Sequence, residues 1–208
     1  MQLVFDIETD GLYFDATKIW CLVAIDENNK VYSFRENEID KGIELLKSAD
    51  RIIGHNIIGF DIPVIKKLTG INLHKYTNTL DTLTLSRLMH PTREGGHSLE
   101  TWGWKLNCLK SDKPDFDEFT EQMLEYCIQD VKLNKLVLES LRGEAKGFSK
   151  ECINLEHEVC KILQEQYEIG FLFDEKNAMM LLSSLNKRKA EVEKEVHETF
   201  KPKWVDVK

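Results

Sequence analysis

No Cys-x-x-Cys pair occurs in the 208 residues, and the cysteines, Cys21, Cys108, Cys127, Cys152 and Cys160, are odd in number. Paired-thiol metal sites and a closed disulfide framework are thereby excluded, and reduced core thiols of an intracellular protein are expected. No Gly-x-x-x-x-Gly-Lys-Ser/Thr stretch exists, so there is no P-loop. His157-Glu158 starts like a zinc-protease helix, but Lys161 stands where the second histidine belongs. His55, His74, His90, His97 and His197 show no metal-ligand spacing either. No apolar run approaches the roughly 18 residues of a membrane span. The opening MQLVFDIETD lacks the basic start of a signal peptide. A soluble, cytoplasmic protein with no membrane partner is the expectation. Basic residues are also short: 28 Lys and Arg against 36 Asp and Glu give a net charge of −8. Strong charge-driven duplex binding normally needs a basic surface, so only a small, local nucleic-acid contact is left open.

What remains is globular: 42% hydrophobic and 31% charged residues, in a chain long enough to bury a core without disulfide or metal staples. Gln2 to Glu8 alternates and reads as a strand; Lys18 to Ile25 and Lys30 to Phe34, joined by the turn at Glu27-Asn28-Asn29, read as two more. A helix is expected over 38–48, a short buried strand over Arg51 to Gly54, and a helix from Asp61 to Leu68 with Pro63 in its first turn. Thr79 to Asp81 reads as a short strand, with Asp81 positioned to cap the helix that follows. Helices are expected over His97 to Leu106 and over about 117–141. The stretch Gly143 to Ser149 looks like a linker, followed by helices over about 150–168 and 175–199. Strands mixed with helices after an antiparallel opening give an α/β fold, divided into a domain over 1–145 and a helical segment over 150–208.

Four acids and a tyrosine stand out by placement. Asp6 and Glu8 lie two apart on a strand, so both side chains leave one face, with Cα atoms about 7 Å apart. Adjacent carboxylates raise one another's pKa unless a cation lies between them, and hard divalent ions such as Mg2+ or Mn2+ suit such a pair. Asp61 follows the polar loop His55-Asn56; alone, such a residue is ordinarily a helix cap. Tyr126 and Asp130 lie four apart on one face of the long helix, at the edge of the stripe Met123, Leu124, Cys127, Val131 and Val137. An acid there is costly without a partner. Trp102 and Trp104 are two apart, so only one can face the core.

Taken together, FDIETDGL, GHNIIGFDIPVI, LDTLTLSRLMHP, GGHSLETWGWKL and YCIQDV resemble, in order, the exonuclease motifs of the DEDD family in its tyrosine form. They are most similar to the proofreading domain of family A DNA polymerases, particularly those of short-tailed phages. LEHEVCKILQEQYEIGFLFD resembles the segment that opens the polymerase domain in that family.

The resemblance implies a ribonuclease H-like mixed sheet flanked by helices. It also implies two-metal hydrolysis that releases nucleoside monophosphates from the 3′ end of single-stranded or frayed DNA. By the same resemblance, Asp6 would bridge two divalent cations, Glu8 and Asp130 would help hold the first, Asp61 the second, and Tyr126 would orient the attacking water. Thr9, Leu12, Asn56 and Phe60 would meet the DNA end; Leu12 and Phe60 are equally readable as core. A polymerase domain or subunit, covalent or separate, is the implied partner, in the host cytoplasm for a phage protein. Two departures stand: the stretch between Met89 and His97 is short, and Lys208 falls well before any polymerase palm or fingers. An RNA-trimming exonuclease and a non-catalytic docking scaffold are the competing readings.

Overall fold

The computed structural model describes residues 1–201, and its helices and strands fall close to those the sequence predicts. Among the described residues are the strands β1 (Gln2–Thr9), β2 (Ile19–Asp26), β3 (Val31–Arg35), β4 (Arg51–Gly54) and β5 (Asn78–Asp81). The α-helices are α1 (Ile39–Lys47), α2 (Asp61–Thr69), α3 (Thr82–Met89), α4 (Leu99–Leu106), α5 (Glu121–Glu144), α6 (Lys150–Ile169) and α7 (Glu175–Thr199). The expected helical segment over 150–208 thus runs partly outside the described residues. None of the described helices is long and apolar enough to cross a membrane. All five cysteines are free thiols.

The strands form one mixed sheet in the order β3-β2-β1-β4-β5. β1 runs antiparallel to β2 and parallel to β4, and β4 runs parallel to β5. The carboxyl ends of β1, β4 and β5 therefore meet at one edge of the sheet, the edge where open α/β sheets place their sites. The pleat of β1 sorts its side chains. Leu3, Phe5 and Ile7 join the core on one face, with residues of α1 and α2. Val4 packs on the opposite face against Met123, Cys127 and Val131 of α5. Asp6 and Glu8 share Val4's side of the strand, so the period of two points both acids toward α5. β2 is buried along its whole length, as a strand covered on both faces must be.

Two backbone details shape the edge. The β1–β2 register slips between Glu8 and Thr9, a bulge that turns the end of β1. Gly54, the last residue of β4, admits no side chain: an added Cβ would lie 2.0 Å from Ile57 Cγ2 and 2.9 Å from the Phe5 carbonyl oxygen.

By compactness the described chain splits after Glu168. The sequence alone puts the break in the glycine-bearing stretch around 145–150, because glycine and charge mark a loop but say nothing of how the next helix packs. Within the first unit α6 packs against the body: His157 is buried, Lys66 pairs with Glu168 at 3.0 Å, and the Tyr167 ring lies 5.1 Å from Phe14. In the second unit α7 has no buried residue.

Candidate functional site

Each acid reaches the carboxyl edge by its own route. Asp6 and Glu8 come from β1. Asp61 is the first residue of α2, but it does not cap that helix: Phe60 is the N-cap residue, and no side chain caps the turn. Asp61 instead reaches across to β1, where its Oδ1 accepts a 3.1 Å hydrogen bond from the Ile7 amide. Tyr126 and Asp130 project from α5 and are both buried. The helix stripe thus carries them further inside than an edge position.

Burial governs the electrostatics. The Asp6 carboxyl is pushed well above its usual range, first by enclosure and then by the charges of Asp61, Glu8 and Asp130. Glu8 is raised to about 8 by burial and by the Asp130 charge, with Lys110 opposing. Burial raises Asp61 to about 7 against the pull of hydrogen bonds from its own amide and that of Ile7. Asp130 is raised by burial despite an ion pair with Lys110 at 2.5 Å. Its second oxygen, Oδ1, is buried with no hydrogen-bond partner. Burial also raises the Tyr126 phenol, which therefore stays protonated at neutral pH.

Asp6 and Glu8 offer oxygens close enough together for one hard divalent cation. Ligand atoms of Asp6, Glu8 and Cys127 lie within 4.8 Å of one another. Burial holds the Cys127 thiol well above its ordinary pKa, and its Sγ donates to the Asp6 carbonyl at 3.6 Å, so the carboxylates are the available ligands. Carboxyl groups short of counter-charge, with one buried oxygen of Asp130 lacking a partner, are donors of the kind that Mg2+ or Mn2+ satisfies. Asp6 and Asp130 also line a cavity of about 190 Å³ with His55, Leu99, Lys110 and Asn134.

The four residues expected at a DNA end are placed differently. Leu12 is 75% exposed, so it is not core. Phe60 is half-buried and packs against the core beside β1. Thr9 is buried and its hydroxyl donates to the Gly11 carbonyl at 2.8 Å. Asn56 is exposed in a left-handed turn with φ 67°, next to His55 at the end of β4.

Three residues of the site escaped the sequence reading. Lys110 is the first, for a lone lysine in a loop carries no signal. His55 is the second. The Thr82 hydroxyl donates its single proton toward Asn134 Oδ1 at 2.8 Å and Gly54 O at 3.1 Å, so it accepts from His55 Nδ1 at 2.9 Å. That fixes the tautomer and leaves His55 Nε2 buried and unpaired, with burial lowering the ring to about 4. The third is His157, which fails as a zinc ligand and serves the loop before Asp61. Its Nε2 accepts from the Asp81 amide at 2.8 Å, and its Nδ1 faces the Ile153 carbonyl at 2.8 Å. Asp81 caps α3 as expected, and also accepts from the amides of Asn56 and Ile58, each at 3.0 Å. His157→Leu would leave the buried Asp81 amide unpaired, at about 1–3 kcal/mol, and lower Tm by roughly 2–10 °C. His157→Gln keeps an acceptor there and should recover most of the loss; thermal melts of both variants check this.

A mixed sheet that brings the ends of its parallel strands, and with them buried acids, to one edge defines an α/β protein of ribonuclease H-like architecture. The chain belongs to the RNase_H superfamily: residues 3–111 match the family RNase_H_2. Over an alignment 261 positions long it is 28% identical to the DNA-directed DNA polymerase of Escherichia phage T7, and equally to that of Enterobacteria phage T3. The alignment takes in 96% of this chain but 37% of each relative, so the chain spans little more than a third of their length. The motif-based likeness to the exonuclease domain of phage family A polymerases thus extends over nearly the whole sequence. Among solved structures, Brucella melitensis NrnC matches with a TM-score of 0.65 at 17% identity, covering 81% of this chain and 86% of that one. The POL domain of Pol1 from M. smegmatis, in complex with DNA primer-template and dNTP, matches with a TM-score of 0.68 at 13% identity, over 98% of this chain and 34% of that one. Similarity at those identities speaks for the fold.

Proposed function

We propose that residues 1–145 form a divalent-metal-dependent 3′-to-5′ exonuclease domain. It trims single-stranded or frayed DNA ends to nucleoside monophosphates as the proofreading module of a polymerase. The observation that carries this reading is the set of Asp6, Glu8, Asp61 and Asp130 at one end of the sheet: Asp61 and Asp130 are buried, Asp6 and Glu8 are half-buried, each opposes the ionisation of its neighbours, and Asp130 Oδ1 has no hydrogen-bond partner. Asp6 and Glu8 with Asp130 would hold one cation, and Asp6 with Asp61 a second. When bound, the pair would supply charge stabilisation for the attacking and leaving oxygens of a phosphodiester and lower the pKa of the attacking water. The residues do the rest. Tyr126 keeps its proton and so orients water by hydrogen bonding rather than by acting as a full base. Leu12 would offer its exposed apolar side chain to the terminal base, and Thr9, Asn56 and Phe60 would meet the same DNA end. Such contact is blind to sequence, which suits removal of any mispaired nucleotide.

Kinship with polymerases favours DNA over RNA, and a polymerase domain or subunit as partner. Residues 150–208 resemble the opening of that domain, and Phe171, Leu181, Leu182 and Leu185 are exposed apolar side chains suited to such a surface.

Digestion of 3′-labelled and 5′-labelled oligonucleotides, of DNA and of RNA, with Mg2+, Mn2+ or chelator tests polarity, substrate and metal together. Immediate release of the 3′ label as mononucleotide, progressive shortening of the 5′-labelled strand and silence in chelator are expected. Endonucleolytic products, or full activity in chelator, would refute the assignment. Tyr126→Phe should lower kcat by about 100-fold or less, and Asp130→Asn by roughly 1,000-fold. Equal and complete loss in both would assign Tyr126 a different role.

A further inference from the structure

We propose that the Lys110 ammonium is a tethered counter-ion that occupies the first cation's seat in the metal-free protein and competes with metal for Asp130. The inference rests on the metal-centre reading above. Lys110 Nζ lies 2.5 Å from Asp130 Oδ2, on a carboxylate whose other oxygen has no partner. The same ammonium stands 4.8 Å from the centre of the Tyr126 ring. Its charge also acts on Asp6 and Glu8, opposing the upward push of burial on both. Lys110, Asp6 and Asp130 line one cavity. A positive charge therefore stands against Asp130, in the cavity that Asp6 also lines.

The chain places it there by construction. Between α4 and α5 the backbone is neither helix nor strand from Asn107 to Thr120, yet it is pinned twice. Gln129, the residue before Asp130, donates through Nε2 to the Leu109 carbonyl at 2.9 Å, one residue before Lys110. Trp20 Nε1 donates to the Phe116 carbonyl at 2.9 Å. With the main chain anchored beside Asp130, the flexible lysine stem can swing off the carboxylate while the loop stays docked. Tethering also keeps the ammonium at a high effective concentration, so an incoming ion has to displace it.

One monovalent ammonium with three donors cannot satisfy four carboxylates, whereas a divalent ion takes six or more oxygens. Lys110 thus offsets part of the repulsion among the acids without replacing the metal. Lys113 supplies a comparison. It lies 5.3 Å from the centre of the Phe116 ring and touches Glu8 only through space.

The test is titration of the full chain with Mn2+, read by the EPR signal of free ion, beside thermal melts in chelator and at saturating Mn2+. Lys110→Gln should tighten the first Mn2+ site roughly tenfold, or about 1.4 kcal/mol. It should also melt below the parent in chelator and level with it when Mn2+ is bound. Lys113→Gln should change affinity by about twofold or less. Unchanged or weaker binding by Lys110→Gln overturns the proposal. So does an equal gain from Lys113→Gln, which would mean that any nearby charge acts alike. In both cases Mn2+ still binds, so the metal centre stands without this role for Lys110. If neither the parent nor the variants bind Mn2+, the metal centre itself falls, and the proposal with it.

Discussion

Asp6→Ala abolishes nuclease activity by about 1,000-fold or more while the metal-free fold melts at or above the temperature of the parent. The two halves of this expected result have one cause. Asp6 is the acid on which the charges of Asp61, Glu8 and Asp130 all act, so removing it takes away the shared ligand of both proposed cations. The same substitution removes a carboxyl whose ionisation is opposed by enclosure and by its acidic neighbours, and a cluster short of counter-charge gains stability when it loses such a member. An ordinary structural carboxylate behaves in the opposite way, since its loss strands its partners. Labelled single-stranded DNA and a melt in chelator measure both halves on one preparation. Digestion at the parental rate by folded Asp6→Ala protein would sink the catalytic assignment.

In chelator the parent protein loses stability as pH rises from about 6.5 to 8.5, and Mg2+ removes the trend. Glu8 sits at about 8 against an ordinary 4.5, and Asp61 at about 7 against 3.8. Between those values the folded chain holds protons that the unfolded chain has released, so unfolding gains ground with rising pH. The stabilisation is fully present below the unfolded pKa values and gone above the folded ones. His55 and His74, each held near 4 by burial, act in the other direction: their contribution is lost on acidification from about 6.5 toward 4. The two effects oppose each other below about 6.5; above it the histidines no longer contribute, and the acids act in the same direction as the Met1 amine, which its Asp50 partner raises. There Tm should fall by on the order of 5 °C. Bound Mg2+ neutralises the carboxylates and should leave Tm flat across the same window. A Tm in chelator that is level or rising above pH 6.5 would mean that the acids are already compensated within the protein, and would remove the physical reason for a metal there.

The site was legible in part, and the boundary is physical. D-x-E on an alternating strand and Y-x-x-x-D on an amphipathic helix announce shared faces, because the periods of two and 3.6 are local properties. Asp81 as a cap was equally readable, since the capping bonds lie within three residues of it. Asp61 misleads for the same reason. Its local position says cap, yet the bond it makes is to Ile7, 54 residues away. Leu12 and Phe60 were ambiguous because an apolar residue beside a strand end fits core or ligand surface equally well; the structure leaves Leu12 outside the core and packs Phe60 against it. Trp102 is buried and Trp104 is 67% exposed, as a spacing of two on a helix requires. His157 and Lys110 gave no signal. Each acts through one long-range contact, on Asp81 and on Asp130, and no pattern along the chain encodes either.

By itself the sequence determined the α/β class, nearly every helix and strand, and the superfamily likeness, because hydrophobic period, capping chemistry and motif order are written along the chain. Only the tertiary structure decided that β1 lies between an antiparallel and a parallel neighbour, that the carboxyl ends of β1, β4 and β5 share an edge, and that α6 packs with the body through His157. It also brought a lysine from an irregular loop against Asp130. The reason is common to all of these: strand pairing, burial and the electrostatics they create are set by groups far apart in the chain, so charge, pKa and counter-ion become definite only once folding has set the distances.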